Sequence, residues 1–206
     1  VINYNRARRP RQMIFLRSKL RFARKTVLLN TVMLVEKKLI MDELAIQRSL
    51  KRITHEIIER NKGVEDLILV GILTRGIHLA NALAALIKEF EGADIPTYGL
   101  DIRHWRDDHK RLAHTTTPAI PVQDKKIILV DDVLFKGRTI RAAMDALTSF
   151  GRPREIQLAV LIDRGHRELP IRADYIGKNI PSALNERIQV KVTALDHENA
   201  VYIDRP

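Results

Sequence analysis

The sequence predicts an α/β domain with a mostly parallel central sheet flanked by helices. Helix-periodic segments alternate with short apolar runs along most of the chain, the order expected of β-α-β units. The run at 127–130, Ile-Ile-Leu-Val, is apolar without alternation, as in a strand buried on both faces. No internal repeat or low-complexity linker interrupts the pattern, which favours one domain over two.

The elements follow in order. Ile46, Leu50, Ile53 and Ile57 recur at helical spacing, and Asp42 is placed to cap their helix. A strand is predicted over 67–71, a helix over 76–90 and a strand near 98–102. An irregular polar stretch then fills 104–123 and includes Arg106, Asp107, Asp108, Lys110, Arg111 and three threonines before Pro118. A stretch of this length without periodicity is read as a mobile functional loop or a solvated hairpin. Regularity resumes with a strand at 127–130, a helix at 139–150 stopped by Gly151, and a strand at 156–162. Shorter peripheral strands are expected at 188–192 and 201–203.

Composition narrows the function classes. The 206 residues, 45% of them hydrophobic, can build a core of ordinary size. Cysteine is absent, which excludes a disulfide scaffold, thiol catalysis and Cys-containing zinc sites and fits a reducing cytoplasm. The apolar runs are too short and interrupted to cross a bilayer, so a soluble cytoplasmic protein is expected. The net charge of +11 suggests nucleic acid, but nine basic and no acidic residues lie in 1–35, leaving 27 basic against 25 acidic elsewhere. Any nucleic-acid surface on the main domain must therefore be a local patch. The chain opens with valine, and Met33 or Met41 would make an ordinary start. The stretch 1–34 is expected to be a disordered or non-native basic extension, with the domain occupying 35–206.

The densest chemistry lies in "ILVDDVLFKGRT", 128–139. Ligands of open α/β sheets bind beyond the carboxyl ends of strands, where this loop is expected. Gly137 lets the backbone approach a ligand, and the N–H groups of Arg138 and Thr139 open a helix, a cradle for phosphate. The spacing is not that of a Walker loop. Asp131 and Asp132 would repel phosphates but suit the vicinal hydroxyls of a ribose, directly or through Mg²⁺. Phosphate at one end and diol in the middle describe a ribose 5-phosphate.

That segment resembles the phosphoribosyl-diphosphate motif of type I phosphoribosyltransferases. "LVGILTRGIHLA", "HEIIERNKG" and "GRPREIQLAVLIDRGHRELPIRADYIGKNIP" extend the resemblance to the PyrR family, bacterial pyrimidine-operon attenuation proteins that also carry uracil phosphoribosyltransferase activity. It covers residue 35 to the C-terminus. The resemblance implies a type I phosphoribosyltransferase-like fold with a small hood and a mobile loop. It also implies transfer of phosphoribosyl from its diphosphate to uracil with Mg²⁺, giving UMP, and a homodimer or higher homo-oligomer. Asp131 and Asp132 would hold the ribose, Lys136, Gly137, Arg138 and Thr139 the 5-phosphate, and Thr74, Arg75 and Gly76 the diphosphate. Arg106 would close over the diphosphate.

Two departures bear on catalysis. Lys136 stands where the family usually has threonine, and Leu73 where lysine is usual; the loop after Asp108 is also several residues short. An ammonium at 136 can still hold a phosphate. Loss of the cation at 73 removes help from the leaving group, which lowers turnover more than binding. Weakened uracil phosphoribosyltransferase activity is therefore expected.

The regulatory half of the resemblance implies a leader mRNA as partner, bound when UMP fills the site. Arg48, Lys51, Arg52 and His55 fall on one face of the first helix, opposite its apolar stripe. Arg164, His166, Arg167, Arg172 and Lys178 form a second cluster, matched to the family's RNA-binding segment, although Lys51 stands where threonine is usual. A dedicated nucleobase salvage enzyme with an incidental basic face is the alternative, as is a regulator without activity. His104, His109 and His114 lack carboxylate company and make a poor metal set, while Trp105 is read as a core anchor or a base-stacking platform.

Overall fold

The computed structural model describes residues 36–106 and 119–205. The extension 1–34, and Asp107, Asp108, His109, Lys110, Arg111, His114 and the threonines of the polar stretch, lie outside the described residues. The elements are β1 (Glu36–Met41), α1 (Glu43–Asn61), β2 (Leu67–Ile72), α2 (Gly76–Glu91), β3 (Thr97–Leu100), a 3-10 turn (Arg103–Trp105) and β4 (Lys126–Leu134). They continue with α3 (Arg138–Ser149), β5 (Glu155–Asp163), β6 (Tyr175–Asn179), β7 (Arg187–Lys191), α4 (Thr193–Asp196) and β8 (Ala200–Arg205). Among the described residues no helix is long and apolar enough to cross a membrane.

Five strands form a sheet in the order β3-β2-β4-β5-β6, every neighbouring pair parallel. The strand order reverses between β2 and β4, the place where open α/β sheets bind ligands. Alternation within the strands separates two cores. Leu67, Leu69, Ile128 and Val130 face Ile46, Leu50, Ile53 and Ile57 of α1 and Leu79, Leu83 and Ile87 of α2. Ile68, Val70, Ile127 and Leu129 face Ile140, Ala143 and Leu147 of α3. Both faces are apolar because both are covered, which is why 127–130 shows no alternation. Asp42 caps α1 as predicted, its carboxylate accepting from the Ala45 N–H at 2.8 Å.

A second sheet, β1-β8-β7, forms a small hood, in which β7 and β8 pair antiparallel. Local pattern did not reveal β1, β6 or α4. Of β1 only Met41 is buried, and of β6 only Tyr175 and Gly177, so neither has the apolar run that marks a strand in sequence. The polar stretch also departs from the expectation: its end is not solvated, because Ile120 and Val122 are buried against the α3 core. Trp105 packs against that same core, which favours the anchor over the stacking platform.

Three buried polar side chains tie α1 to the sheet. The Asn61 amide donates to Gln157 Oε1 at 3.0 Å, Gln157 Nε2 donates back to Asn61 Oδ1 at 3.0 Å, and the Tyr175 hydroxyl donates to Gln157 at 2.5 Å. Burial pushes the Tyr175 hydroxyl up to about 12, so it stays a donor at neutral pH. Gln157→Leu would leave two buried polar groups without their partner and lower stability by about 2–4 kcal/mol. Urea unfolding checks this, and an unchanged midpoint would rule the network out as a stabilising element.

Candidate active site

The site arises because β4 outruns β2. Pairing with β2 ends at Val130, whereas pairing with β5 continues through Asp131, opposite Val160, to Leu134, opposite Asp163. Beyond Val130 one side of β4 therefore faces the turn from β2 into α2 instead of another strand. The strand was expected to end at Val130; it carries the two aspartates within its length.

That turn is pressed close. A Cβ on Gly71 would lie 2.3 Å from the Ile77 Cα, and one on Gly76 would lie 2.4 Å from the Val130 carbonyl oxygen, so only glycine lets α2 begin here. Its start brings Thr74 and Arg75 beside Asp131 and Asp132. The peptide between Leu73 and Thr74 is cis. Together with Asp101, Arg103, Arg106 and Thr139 these residues line a cavity of about 530 Å³. Two cavities adjoin it. One of about 280 Å³ is bounded by 133–140 and Arg106. The other, of about 380 Å³, lies between Asp132 and Arg75 on one side and β7, Lys191 and Asp196 of the hood on the other. Val133 borders all three.

The aspartates are in an electrostatically costly position. Burial holds the Asp131 carboxyl well above its usual range, the charge of Asp132 adds to the shift, and Arg106 offsets it. Burial also raises Asp132, against the opposing Val133 N–H and the Arg75 charge. Each carboxylate accepts the next backbone N–H, Asp131 from Asp132 at 3.0 Å and Asp132 from Val133 at 2.8 Å. These bonds fix their orientation without neutralising them. A cation or donor arriving in the cavity therefore meets two acceptors already in place.

The loop 135–139 leads directly into a helix. Gly137 has φ +91°, a left-handed conformation that glycine adopts freely, and α3 starts immediately after it. The first N–H groups of α3 have no carbonyl a turn earlier to bond. Lys136 points to Glu168, with Nζ 2.6 Å from Oε1.

Sequence reasoning missed several residues that converge here. Asp101 and Arg103, at the end of β3, pair with each other; the Arg103 guanidinium holds the Asp101 carboxyl below its usual range. Asp196, on α4 of the hood, takes the Arg75 guanidinium at 3.1 Å and 3.2 Å and the Val192 N–H at 3.1 Å. Asp101 was discoverable, since it follows a parallel strand. No local signal marks Asp196 or Glu168.

The basic residues divide into two groups. Arg48, Lys51, Arg52 and His55 are exposed on α1, as are His166, Arg172 and Lys178. Arg52 donates to the Ile176 carbonyl at 2.8 Å and the Gly177 carbonyl at 2.5 Å, which sets this face of α1 beside β6 and Lys178. Arg164 and Arg167 turn inward. Arg164 is 7% exposed and donates to Ser182 Oγ and to the carbonyls of Ala183 and Glu186, so it is no part of a solvent-facing patch. Arg167 donates to the carbonyls of Phe135 at 2.7 Å and Ile171 at 2.9 Å and pairs with Asp163 at 2.5 Å. Its guanidinium braces the start of the loop 135–139 instead of facing solvent.

Residues 39–197 match the phosphoribosyl transferase domain. The chain is 55% identical over 175 residues to the bifunctional protein PyrR of Listeria welshimeri, covering 81% of this chain and 96% of that one. It is 52% identical over 175 residues to the protein of the same name from Clostridioides difficile, covering 82% and 99%. The hypoxanthine phosphoribosyltransferase of Trypanosoma cruzi shares the fold, with a TM-score of 0.64 at 19% identity over 82% of this chain and 97% of that one. That of Staphylococcus aureus gives a TM-score of 0.63 at 19% identity, over 86% and 98%.

Proposed function

The chain belongs to the PyrR family of phosphoribosyltransferases, and from that premise we propose a UMP-responsive RNA-binding regulator that promotes termination ahead of pyrimidine genes and retains weak uracil phosphoribosyltransferase activity. The observation that carries the nucleotide half is the meeting of three cavities at Val133. A nucleoside monophosphate has three parts, and the cavities match them in order: phosphate at 135–139, ribose at Asp131 and Asp132, base beneath the hood.

In the transfer, N1 of uracil gives up its proton to water or the departing diphosphate and bonds to C1 of the ribose, as the bond from C1 to the diphosphate oxygen breaks and its electron pair leaves with the diphosphate. Asp131 and Asp132 hold the ribose hydroxyls and face the positive charge that grows on the ring. Thr74, Arg75 and the Gly76 N–H hold the departing diphosphate, and Arg106 closes on it. Lys136, Gly137, Arg138 and Thr139 anchor the 5-phosphate so that C1 stays in register.

The buried acceptor pair fits Mg²⁺, whose charge would relieve the cost of two carboxylates side by side. Among the described residues no group of three or more His, Cys, Asp or Glu could hold a metal alone, so the ion would arrive with phosphoribosyl diphosphate. Bound there, it would supply charge neutralisation on the leaving diphosphate.

The RNA surface is assigned to Arg48, Lys51, Arg52 and His55 of α1 with Lys178 beside them, and to His166 and Arg172. Arg167 supports this surface from beneath through the phosphate loop. Assembly into a homodimer or higher homo-oligomer would join the basic faces of two subunits, and a cytoplasmic setting suits both the RNA and the cysteine-free chain. The test is the affinity for a pyrimidine-operon leader RNA with and without UMP, at one fixed salt concentration because phosphate contacts are salt-dependent. At least tenfold tightening by UMP is expected. No RNA binding in either condition would leave a salvage enzyme.

A further inference from the structure

The cations of the phosphate loop are already engaged by an anion from the protein itself. Glu168 spans them, with Oε1 2.6 Å from Lys136 Nζ and Oε2 accepting from Arg138 Nε at 2.7 Å. It belongs to the segment 164–172, between β5 and β6, which is bonded to the loop along its length. The N–H groups of Glu168 and Leu169 both donate to the Lys136 carbonyl, at 3.0 Å and 3.3 Å. Arg167 bonds the Phe135 carbonyl, the Arg164 guanidinium lies 4.0 Å from the centre of the Phe135 ring, and Leu169 and Ile171 cover Gly137.

A phosphate monoester seeks the same cations. It carries nearly two charges at neutral pH and three acceptor oxygens, against one charge and two oxygens for a carboxylate. The hydrogen bonds from Lys136 and then Arg138 hold the Glu168 carboxyl below its usual range, so it stays charged and would repel the newcomer. Phosphate and carboxylate cannot share the pair without that repulsion. Glu168 is partly exposed and can turn to solvent, which makes it the group that yields.

We propose that Glu168 is an internal counter-anion of the phosphate loop, displaced by the 5-phosphate of a bound nucleotide, and that its displacement is how the segment 164–172 registers occupancy of the site. The inference rests on the nucleotide reading above. It gives Lys136 a second role: where a threonine would leave Glu168 to Arg138 alone, the ammonium makes the closed state a three-membered ion cluster. It also connects the phosphate loop to His166 and Arg172, the exposed basic residues carried by the same segment.

The experiment titrates the full chain calorimetrically with UMP and with uridine, comparing wild type with Glu168→Gln. The glutamine keeps the size and one acceptor oxygen but loses the charge that competes with phosphate. UMP is expected to bind about tenfold more tightly to the variant, the scale of one charged contact, with uridine unchanged. In wild type, UMP is expected to speed hydrogen exchange at the Glu168 and Leu169 amides, a readout that does not depend on the variant folding well. Equal or weaker UMP binding by a variant with wild-type melting behaviour overturns the proposal. So does equal tightening for uridine, which would mean general loosening, or protection of the two amides by UMP. Absence of UMP binding by wild type overturns the nucleotide reading itself, and this proposal with it.

Discussion

Asp131→Asn is expected to lower uracil phosphoribosyl transfer by about 100-fold or more while raising the melting temperature at neutral pH. The two effects share one cause. Asp131 is buried and its carboxyl is held well above its usual range, so at neutral pH the folded protein bears a cost, of a buried charge or of a proton taken up, that the solvated side chain of the unfolded chain does not. Below the usual carboxylate range the side chain is protonated whether folded or unfolded, and the wild type carries no penalty. As pH rises through the raised folded value, the unfolded chain gives up its proton more readily, and wild-type stability declines relative to the asparagine variant. The two proteins should therefore melt alike near pH 4 and diverge by several °C at pH 8, since about 1 kcal/mol moves Tm by roughly 2–4 °C in a chain of this size. Asparagine can still accept the Asp132 N–H, so the local backbone has no reason to shift. A variant that melted lower at pH 8 would show that Asp131 is a structural residue and not a poised functional one.

Leu73→Lys is expected to raise kcat by about tenfold or more, with a smaller effect on KM. Leu73 lines the same cavity as Asp131 and Asp132, and 47% of its surface is exposed, so a longer side chain can extend into solvent space without disturbing the core. An ammonium there would face charge that develops on the diphosphate as it leaves. That interaction strengthens toward the transition state, which is why turnover should gain more than binding. Steady-state kinetics with phosphoribosyl diphosphate and uracil checks it. An unchanged kcat would show that leaving-group stabilisation does not limit the reaction, and would leave the expected weakening of turnover to Lys136 or to the loop after Asp108.

Much of the fold was legible because its main strands and helices announce themselves locally. α1, α2 and α3 bury regular stripes, and β2, β4 and β5 are apolar on both faces. The elements that escaped, β1, β6 and α4, are short and bury few side chains, so no periodic signal accumulates in them. The site was legible to the same extent. Asp131 and Asp132 lie near the carboxyl end of β4 and Gly137 directly before α3, and that strand-to-helix junction is written in consecutive residues, although the strand runs four residues past Val130.

What the sequence by itself determined was therefore the α/β class and the place of the candidate loop, at the strand-to-helix junction after β4. Only the tertiary structure decided which charged groups meet. It turned Arg164 and Arg167 inward, gave Arg75 to Asp196 across the cavity, and placed Glu168 between Lys136 and Arg138. The physical reason is reach. A strand or helix is specified by neighbours a few residues away, whereas the direction of a long charged side chain depends on which opposite charge or carbonyl the folded chain brings within about 3 Å of it. Those partners lie about 20 to over 100 residues away in sequence, at distances where local pattern carries no information.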